Sequence, residues 1–281
     1  METKVRYILP VFFAVLVSSC TKELDTSGFF YSADRVNERF NQSEAWNTIH
    51  APVTIPVSTD SYILYIAGDS HIGGTDNFDS LVRASVADKA AAFVMIGDIV
   101  TGQKYDYDSL RNHLPTDSTR YFMVAGNHDL FFDGWKTFYE YFGSSTYYFT
   151  VTTPADSDLF ICLESGSGTL GADQLDWLKN ILTTIRSQYR RCIVFSHVNL
   201  FREHRTSSTN VMTDEIRILL DLFAKNNVDM TFSGHDHRRS TEVFGNTTYV
   251  TLDALKDGFS EASYLQLKIT NGTPEIQFVG L

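Results

Sequence analysis

Cations are in short supply in this chain: 23 Lys and Arg stand against 34 Asp and Glu, a formal charge of −11. Broad sequence-independent nucleic-acid binding depends on neutralising phosphates with Lys and Arg, so that class of function is disfavoured. Cysteine is almost missing, with three residues in 281. Two of them, Cys162 and Cys192, sit inside apolar strand-like runs, LFICLES and RCIVFSH, and read as buried free thiols. A disulfide between them would need an exported, oxidising location. Internal repeats and low-complexity blocks are absent. What is present is 43% hydrophobic residues and 14% aromatics, enough for one substantial core and too much for general disorder.

The first twenty residues, METKVRYILPVFFAVLVSSC, place Lys4 and Arg6 before an apolar run at 7–17, then small Ser18 and Ser19 before Cys20. This is the layout of a secretory signal, here 1–19, and eleven apolar residues are too few to span a bilayer comfortably. The ending VSSC resembles the lipobox of bacterial lipoproteins, in which the cysteine is acylated. That resemblance implies lipidation at Cys20 and an exported, membrane-anchored protein facing the periplasm or the cell surface. Residues 20–58 then read as lipidated N-terminus, tether and docking segment, with a short helix over ADRVNERFNQSEAWN before the Pro-punctuated HAPVTIPVST. Residues 59–281 are expected to form the functional domain.

From Tyr62 onward, apolar strands stop at polar tips and alternate with helical patterns. SYILYIAGD runs into SHIGG, AAAFVMIGD into IVTG, RYFMVAGNHD into LFFDGW, RRCIVFSH into VNLF, and VDMTFSGHDH into RRS. Helices are expected at about 78–89, 134–142, 171–187 and 213–226, the last with Ile216, Leu219, Leu220 and Phe223 on one face. Such alternation argues for an α/β domain whose functional residues gather beyond the carboxyl ends of the strands. After His237, TEVFGNTTYVTLDA and YLQLKITNGTPEIQFV read as two β-hairpins completing a second sheet.

Five of the eight histidines lie in the polar tips. Singly, each tip reads as well as a cap, a turn or a satisfied core histidine; five in succession, each closing a strand, point to one site. Imidazole with carboxylate suits borderline first-row divalent metals. Asp69, His71, Asp98, Asn127, His197, His235 and His237 offer more ligands than one ion takes, so two ions sharing a carboxylate is the economical arrangement.

The series DxH, GD, GNHD, a lone H and GHxH resembles the calcineurin-like metallophosphoesterase superfamily over residues 62–240. The resemblance implies a four-layer αββα sandwich with two mixed β-sheets, and two divalent transition-metal ions, manganese, iron or zinc. One ion would be held by Asp69, His71, Asp98 and His237, the other by Asp98, Asn127, His197 and His235. A bridging water or hydroxide would be the nucleophile, His128 would protonate the leaving alkoxide, and Asp129 would orient His128 through a hydrogen bond. Two dications against two carboxylates and a hydroxide leave a locally positive site, suited to an anionic substrate even in an acidic chain.

The implied activity is hydrolysis of small-molecule phosphomonoesters or phosphodiesters. The alternative is a surface lipoprotein using the same fold as a non-catalytic binding module. Two departures from the family pattern stand out. Thr101 occupies the position where purple acid phosphatases carry a tyrosine, which argues against a tyrosinate-ligated ferric ion, and SHVN replaces the frequent GHxP. Aromatics near the tips (Phe131, Phe132, Trp135, Phe138, Tyr139 and Phe201) read as core or lid packing, with base or sugar stacking as the rival. Arg202, His204 and Arg205 in FREHR read as a solvated loop, with binding of a second phosphate as the rival. Substrate choice is assigned to loops 101–120, 130–147 and 199–212.

Overall fold

The computed structural model describes residues 32–116, 119–202 and 209–281. The expected signal segment, Cys20, the first part of the tether, His204 and Arg205 lie outside the described residues. Among the described residues no helix is long and apolar enough to cross a membrane.

The central strands explain the continuous apolar runs of the sequence. Strands β2 (Ser61–Ala67), β3 (Ala92–Ile96) and β4 (Arg120–Val124) are parallel neighbours, and with β11 (Ser263–Thr270) and β12 (Thr273–Gly280) they form a five-stranded sheet ordered β12-β11-β2-β3-β4, β2 at its middle. Both faces of β2 and β3 are covered, so alternate residues serve two different cores rather than one core and water. Leu64, Ile66, Val94 and Ile96 face the other sheet. Tyr65, Ala67, Phe93 and Met95 face the helices outside.

The second sheet has seven strands in the order β1-β5-β6-β7-β8-β10-β9. These are β1 (Thr54–Pro56), β5 (Tyr147–Thr152), β6 (Ser157–Leu163), β7 (Arg191–Ser196), β8 (Met230–Ser233), β9 (Ser240–Phe244) and β10 (Thr247–Thr251). Each sheet mixes parallel and antiparallel pairs. Phe149, Phe160, Phe195 and Phe232, one from each of β5 to β8, run as a row of near-parallel rings across the inner face, their successive centroids 4.9, 6.2 and 5.8 Å apart. Phe122 of β4 stacks on Phe149 at 3.7 Å and joins the two sheets.

Helices α2 (Asp76–Ala87), α3 (Lys104–Asn112) and α4 (Trp135–Phe142) cover the five-stranded sheet through Phe78, Leu81, Tyr107, Leu110, Trp135 and Phe138. Helices α5 (Gly171–Thr184) and α6 (Thr213–Lys225) cover the other sheet through Leu178, Leu182, Leu219 and Phe223. The result is the expected four-layer αββα sandwich. Helix α1 (Val36–Ile49) crosses between the two outer layers: Phe40 meets Trp177 of α5 edge-on, and Trp135 of α4 donates its Nε1–H to Gln42 at 2.8 Å.

Three expectations change. The two C-terminal hairpins were expected in one sheet, yet β9–β10 joins the seven-stranded sheet while β11 (Ser263–Thr270) and β12 (Thr273–Gly280) form the far side of the five-stranded one. A hairpin's turn chemistry specifies its own pairing but not the third strand it meets. Residues 101–120 are not a plain loop, because α3 lies inside them, docked by Tyr107 and Leu110 alone among its apolar residues. Sheet pairing also begins before residue 59, since β1 pairs with β5.

Cys162 and Cys192 are buried free thiols on adjacent strands. Their side chains point to opposite faces, Cys162 into the inter-sheet core and Cys192 toward the α5–α6 layer, so this fold keeps them apart.

Phe149 is fully buried at one end of the aromatic row, stacked between Phe122 and Phe160. Phe149→Ala is expected to destabilise the protein by about 3–5 kcal/mol, read as a lower urea midpoint with an unchanged slope.

Candidate metal centre

The carboxyl ends of β2, β3, β4, β7 and β8 meet at one edge of the sandwich, because the strands within each of these two groups are parallel. The tips stay in register beyond the strands: Asp69 N–H donates to Gly97 C=O, His71 N–H to Asp98 C=O and Gly234 N–H to His197 C=O, at 2.9, 3.0 and 2.9 Å. The chain then turns sharply. Asp69, His71, Asp98, His235 and His237 all have positive φ, between 40° and 71°. Non-glycine residues avoid this region at a cost of about 1–3 kcal/mol each, so such a concentration marks a backbone bent to aim side chains at one point.

Close backbone approach sets the glycines beside them. A Cβ on Gly126 would sit 2.3 Å from Asp98 N and 2.4 Å from Asp98 Oδ1; one on Gly97, where φ is +99°, would sit 2.5 Å from His197 Nδ1.

All seven expected ligands and His128 come together. Asp69, His71 and His237 form one triad of mutually close ligand atoms, Asp98, His197 and His235 a second, and His71, Asp98 and His128 a third between them. Asp98 Oδ2 lies 3.2 Å from His197 Nε2, 3.9 Å from His71 Nε2 and 4.0 Å from His128 Nε2, with Asp98 only 2% exposed. Asn127 Oδ1 is 3.1 Å from the same His197 nitrogen.

The outer hydrogen bonds decide which ring atoms carry lone pairs. His197 Nδ1 lies 3.1 Å from the Ile96 carbonyl, and His235 Nε2 lies 3.1 Å from the Thr209 carbonyl. A carbonyl only accepts, so each of those nitrogens bears the proton and the opposite nitrogen of the neutral ring is a lone pair. These two lone-pair atoms, His197 Nε2 and His235 Nδ1, face each other at 3.1 Å beside the Asp98 and Asn127 oxygens. Four acceptors converge on a point where one proton serves at most two of them, which is a donor set made for a cation. On the other side Asp69 Oδ1 is buried without a hydrogen-bond partner, 3.2 Å from His237 Nε2. His237 Nε2 in turn lies 3.1 Å from His71 Nε2. The residues present fit two metal ions that share Asp98.

Asp129 requires a correction. It was expected to hydrogen-bond the His128 ring, but its carboxylate is fully buried and points into the backbone: Oδ2 accepts from Gly126 N–H at 2.7 Å and Ile99 N–H at 3.3 Å, Oδ1 from Val100 N–H at 3.0 Å. It ties the β3 tip to the β4 tip, the service an acceptor-only group performs for the unpaired N–H groups of a tight turn. The His128 ring packs instead edge-on against His71 at 4.5 Å and beside Phe131 at 4.4 Å, with its side chain 38% exposed.

The neighbouring expectations resolve in part. Trp135 and Phe138 are core residues, Phe132 is exposed, and Phe201 packs edge-on against Tyr249. Arg202 is engaged rather than solvated: its Nε donates to Asp236 at 2.7 Å and its Nη1 to the Thr209 carbonyl. Asn199, standing where the family often has proline, donates to the other Asp236 oxygen at 3.1 Å. Thr101 donates its hydroxyl to Asp106. Sequence reading missed Ser165, at the end of β6, whose Oγ accepts from His197 N–H and Val198 N–H. The signal available was the apolar run of LFICLES ending in Glu-Ser, a sixth strand tip without a histidine.

A mixed-sheet sandwich with histidines and carboxylates converging at its strand ends defines the class as a candidate metallohydrolase. Residues 63–239 match the family model of the calcineurin-like phosphoesterases, and the chain belongs to that family. Among solved structures the fold is similar to a dimetal phosphatase from Danio rerio, at 14% identity over 78% of this chain and 96% of that one, with a TM-score of 0.61. It is similar also to GAP50, described as the anchor in the inner membrane complex of Plasmodium, at 13% identity over 79% and 85% with a TM-score of 0.60. The purple acid phosphatase PPD1 from yellow lupin seeds shares 13% identity over 80% of this chain and 52% of its own, with a TM-score of 0.61. At these identities the likeness is one of fold. A search of curated proteins finds no match.

Without metals the cluster has its own pH signature. Burial holds His71 and His235 down at about 4, against the pull of nearby carboxylates. Burial opposes protonation of His197 too, but Asp98 outweighs it and holds the ring up at about 9. Asp98 itself, despite its burial, lies well below the carboxylate range because His197, His128 and His71 surround it. Burial and the Asp98 charge raise Asp129.

His71 and His235 take up protons more readily once unfolded, so their effect lowers stability as pH falls from about 6.5 to about 4. Asp129 works in the opposite sense over the acid range and offsets part of this. The His197 contribution is complete below about 6.5 and is lost as pH rises through about 9. The chelated protein is therefore expected to melt highest at about pH 6.5–7 and lower on either side, as a series of thermal scans would read. A melting temperature climbing steadily from pH 6.5 to 9 would contradict this electrostatic picture.

Proposed function

We propose that this chain is a dinuclear metal-dependent phosphoesterase that hydrolyses small phosphomonoesters or phosphodiesters. The observation carrying the reading is the set of lone pairs around Asp98, fixed from behind by backbone carbonyls and left without enough protons to satisfy them. Asp69, His71, Asp98 and His237 would hold one ion; Asp98, Asn127, His197 and His235 would hold the other. Manganese, iron and zinc all accept this mixture of imidazole, amide and carboxylate. When bound, the two ions supply the positive charge that clamps the attacking and leaving oxygens of a phosphoryl displacement.

The chain's own residues supply the remainder. His128 Nε2 stands at the mouth of the cluster, half-exposed, where it can give a proton to the departing oxygen while backbone N–H bonding to Asp98 Oδ1 at 2.7 Å holds its loop in place. Asp129 acts behind it, on the turn rather than on the ring. The buried Ile96 carbonyl and the half-buried Thr209 carbonyl keep His197 and His235 in the tautomer that presents a lone pair inward. The sequence layout adds lipid anchoring through Cys20, on the periplasmic or cell-surface side.

Asp98→Asn is expected to lose both ions and all hydrolysis of p-nitrophenyl phosphate and bis-p-nitrophenyl phosphate, with metals counted per chain. Two tightly held ions and full turnover in that variant would overturn the assignment. His128→Gln should keep both ions and turn over about 10²–10⁴-fold more slowly if it is the general acid. Two ions in the wild-type protein with neither ester hydrolysed would favour the non-catalytic binding module.

A further inference from the structure

Helix α1 precedes the family-matched region 63–239, yet it carries a buried charge. Arg39 is 2% exposed and Glu164, its partner at 2.8 Å, is 3% exposed. Arg39 Nε donates to Glu164 Oε2, Nη2 to Ser167 Oγ at 2.7 Å and Nη1 to the Asp34 carbonyl at 2.6 Å. Apolar side chains of similar volume would commonly serve packing as well, since a buried pair gives up hydration on both sides. Its use here calls for a role in geometry.

The geometry lies one residue further along. Glu164 Oε1 accepts from Gly166 N–H at 2.7 Å, closing a tight turn around Ser165. Ser165 Oγ accepts from both His197 N–H at 3.0 Å and Val198 N–H at 2.9 Å. Gly166 lies so close to the GNHD tip that a Cβ there would be 2.6 Å from the Gly126 carbonyl oxygen. The 164–167 turn therefore touches the two strand ends that carry Asn127 and His197. The segment leading into helix α1 reaches the GNHD loop from its other side: Ala33 N–H donates to Asp133 Oδ1 at 2.9 Å, at the end of the short helical turn that starts at His128.

We infer that Arg39 is a positioning residue: through Glu164 and Ser165 it sets the backbone of the β4 and β7 tips, and so the second of the two proposed ion positions. The dependence on ions rests on the proposed function; the dependence of backbone order does not. Loss of the guanidinium frees the 164–167 turn, and the His197 and Val198 amides lose a fixed acceptor. The Asp69–His71–His237 side has no contact with this turn among those described above and keeps its arrangement.

Amide hydrogen exchange on the full chain, with and without chelator, tests this. In Arg39→Met, and independently in Ser165→Ala, exchange at residues 126–128 and 196–198 is expected to rise about tenfold or more, while β2, β3 and β11 exchange as in wild type. A metal titration should show one ion retained near wild-type affinity and the second weakened, with Arg39→Lys partly restoring it. Unchanged exchange at the two tips in folded Arg39→Met overturns the inference. So does a uniform rise across all strands, which would mark a purely structural pair; Ser165→Ala then decides for the turn if Arg39→Met fails to fold. A wild-type protein that binds no ions would sink the metal reading while leaving the exchange result to stand or fall alone.

Discussion

A carboxylate held out of water must be offset, and Asp98 at the end of β3 obtains its compensation from His197, His71 and His128 and from one backbone N–H. Those partners come from β2, β4 and β7, so a single buried charge holds together strand ends from both sheets. In the metal-free cluster the Asp98 charge favours a proton on His197; bound ions would take over that compensation. Either way the arrangement of the edge depends on charge at one atom pair, and each nearby carbonyl and turn serves to keep imidazole lone pairs facing it.

Such an edge is locally unfavourable. Five of its residues have left-handed backbone, Gly97, Gly126 and Gly234 are pressed against neighbouring ligand residues, and Asp69 Oδ1 has no donor. Strain of this kind persists only where surrounding structure over-determines it. Here that structure is the pair of parallel strand groups, apolar on both faces, with the phenylalanine row between them. Stability resides in the sandwich and the proposed chemistry in its rim, where bound ions would let an acidic protein present local positive charge to a phosphate ester.

Helix α1 belongs to both parts. Phe40 and Trp46 pack against the two outer helix layers, while Arg39 reaches past them to the turn behind His197. The part of the tether and docking segment that forms α1 is thus contiguous with the body, and through Arg39 it reaches the 164–167 turn that touches the tips holding Asn127 and His197.

The strand–tip–helix rhythm, the seven ligand candidates and His128 were legible in the sequence, because buried parallel strands demand unbroken apolar runs and polar residues directly after them stand out. The helices at 78–89, 134–142, 171–187 and 213–226 were legible for a similar reason, their boundaries shifting by three residues at most. Short or polar elements were not: α3 docks by Tyr107 and Leu110, and β1 spans three residues. The role of Asp129 could not be read from GNHD, since adjacency along the chain says nothing about which way a carboxylate turns when three backbone N–H groups lie closer. Nor could Arg39 be linked to Glu164 and Ser165, which lie more than a hundred residues further along the chain and are joined to it only when α1 lies across the sandwich. Periodicity and residue chemistry, which are local, determined the strands and the metal-suited side chains. Tertiary structure alone decided their partners, because direction and distance across two sheets are set by packing and not by order along the chain.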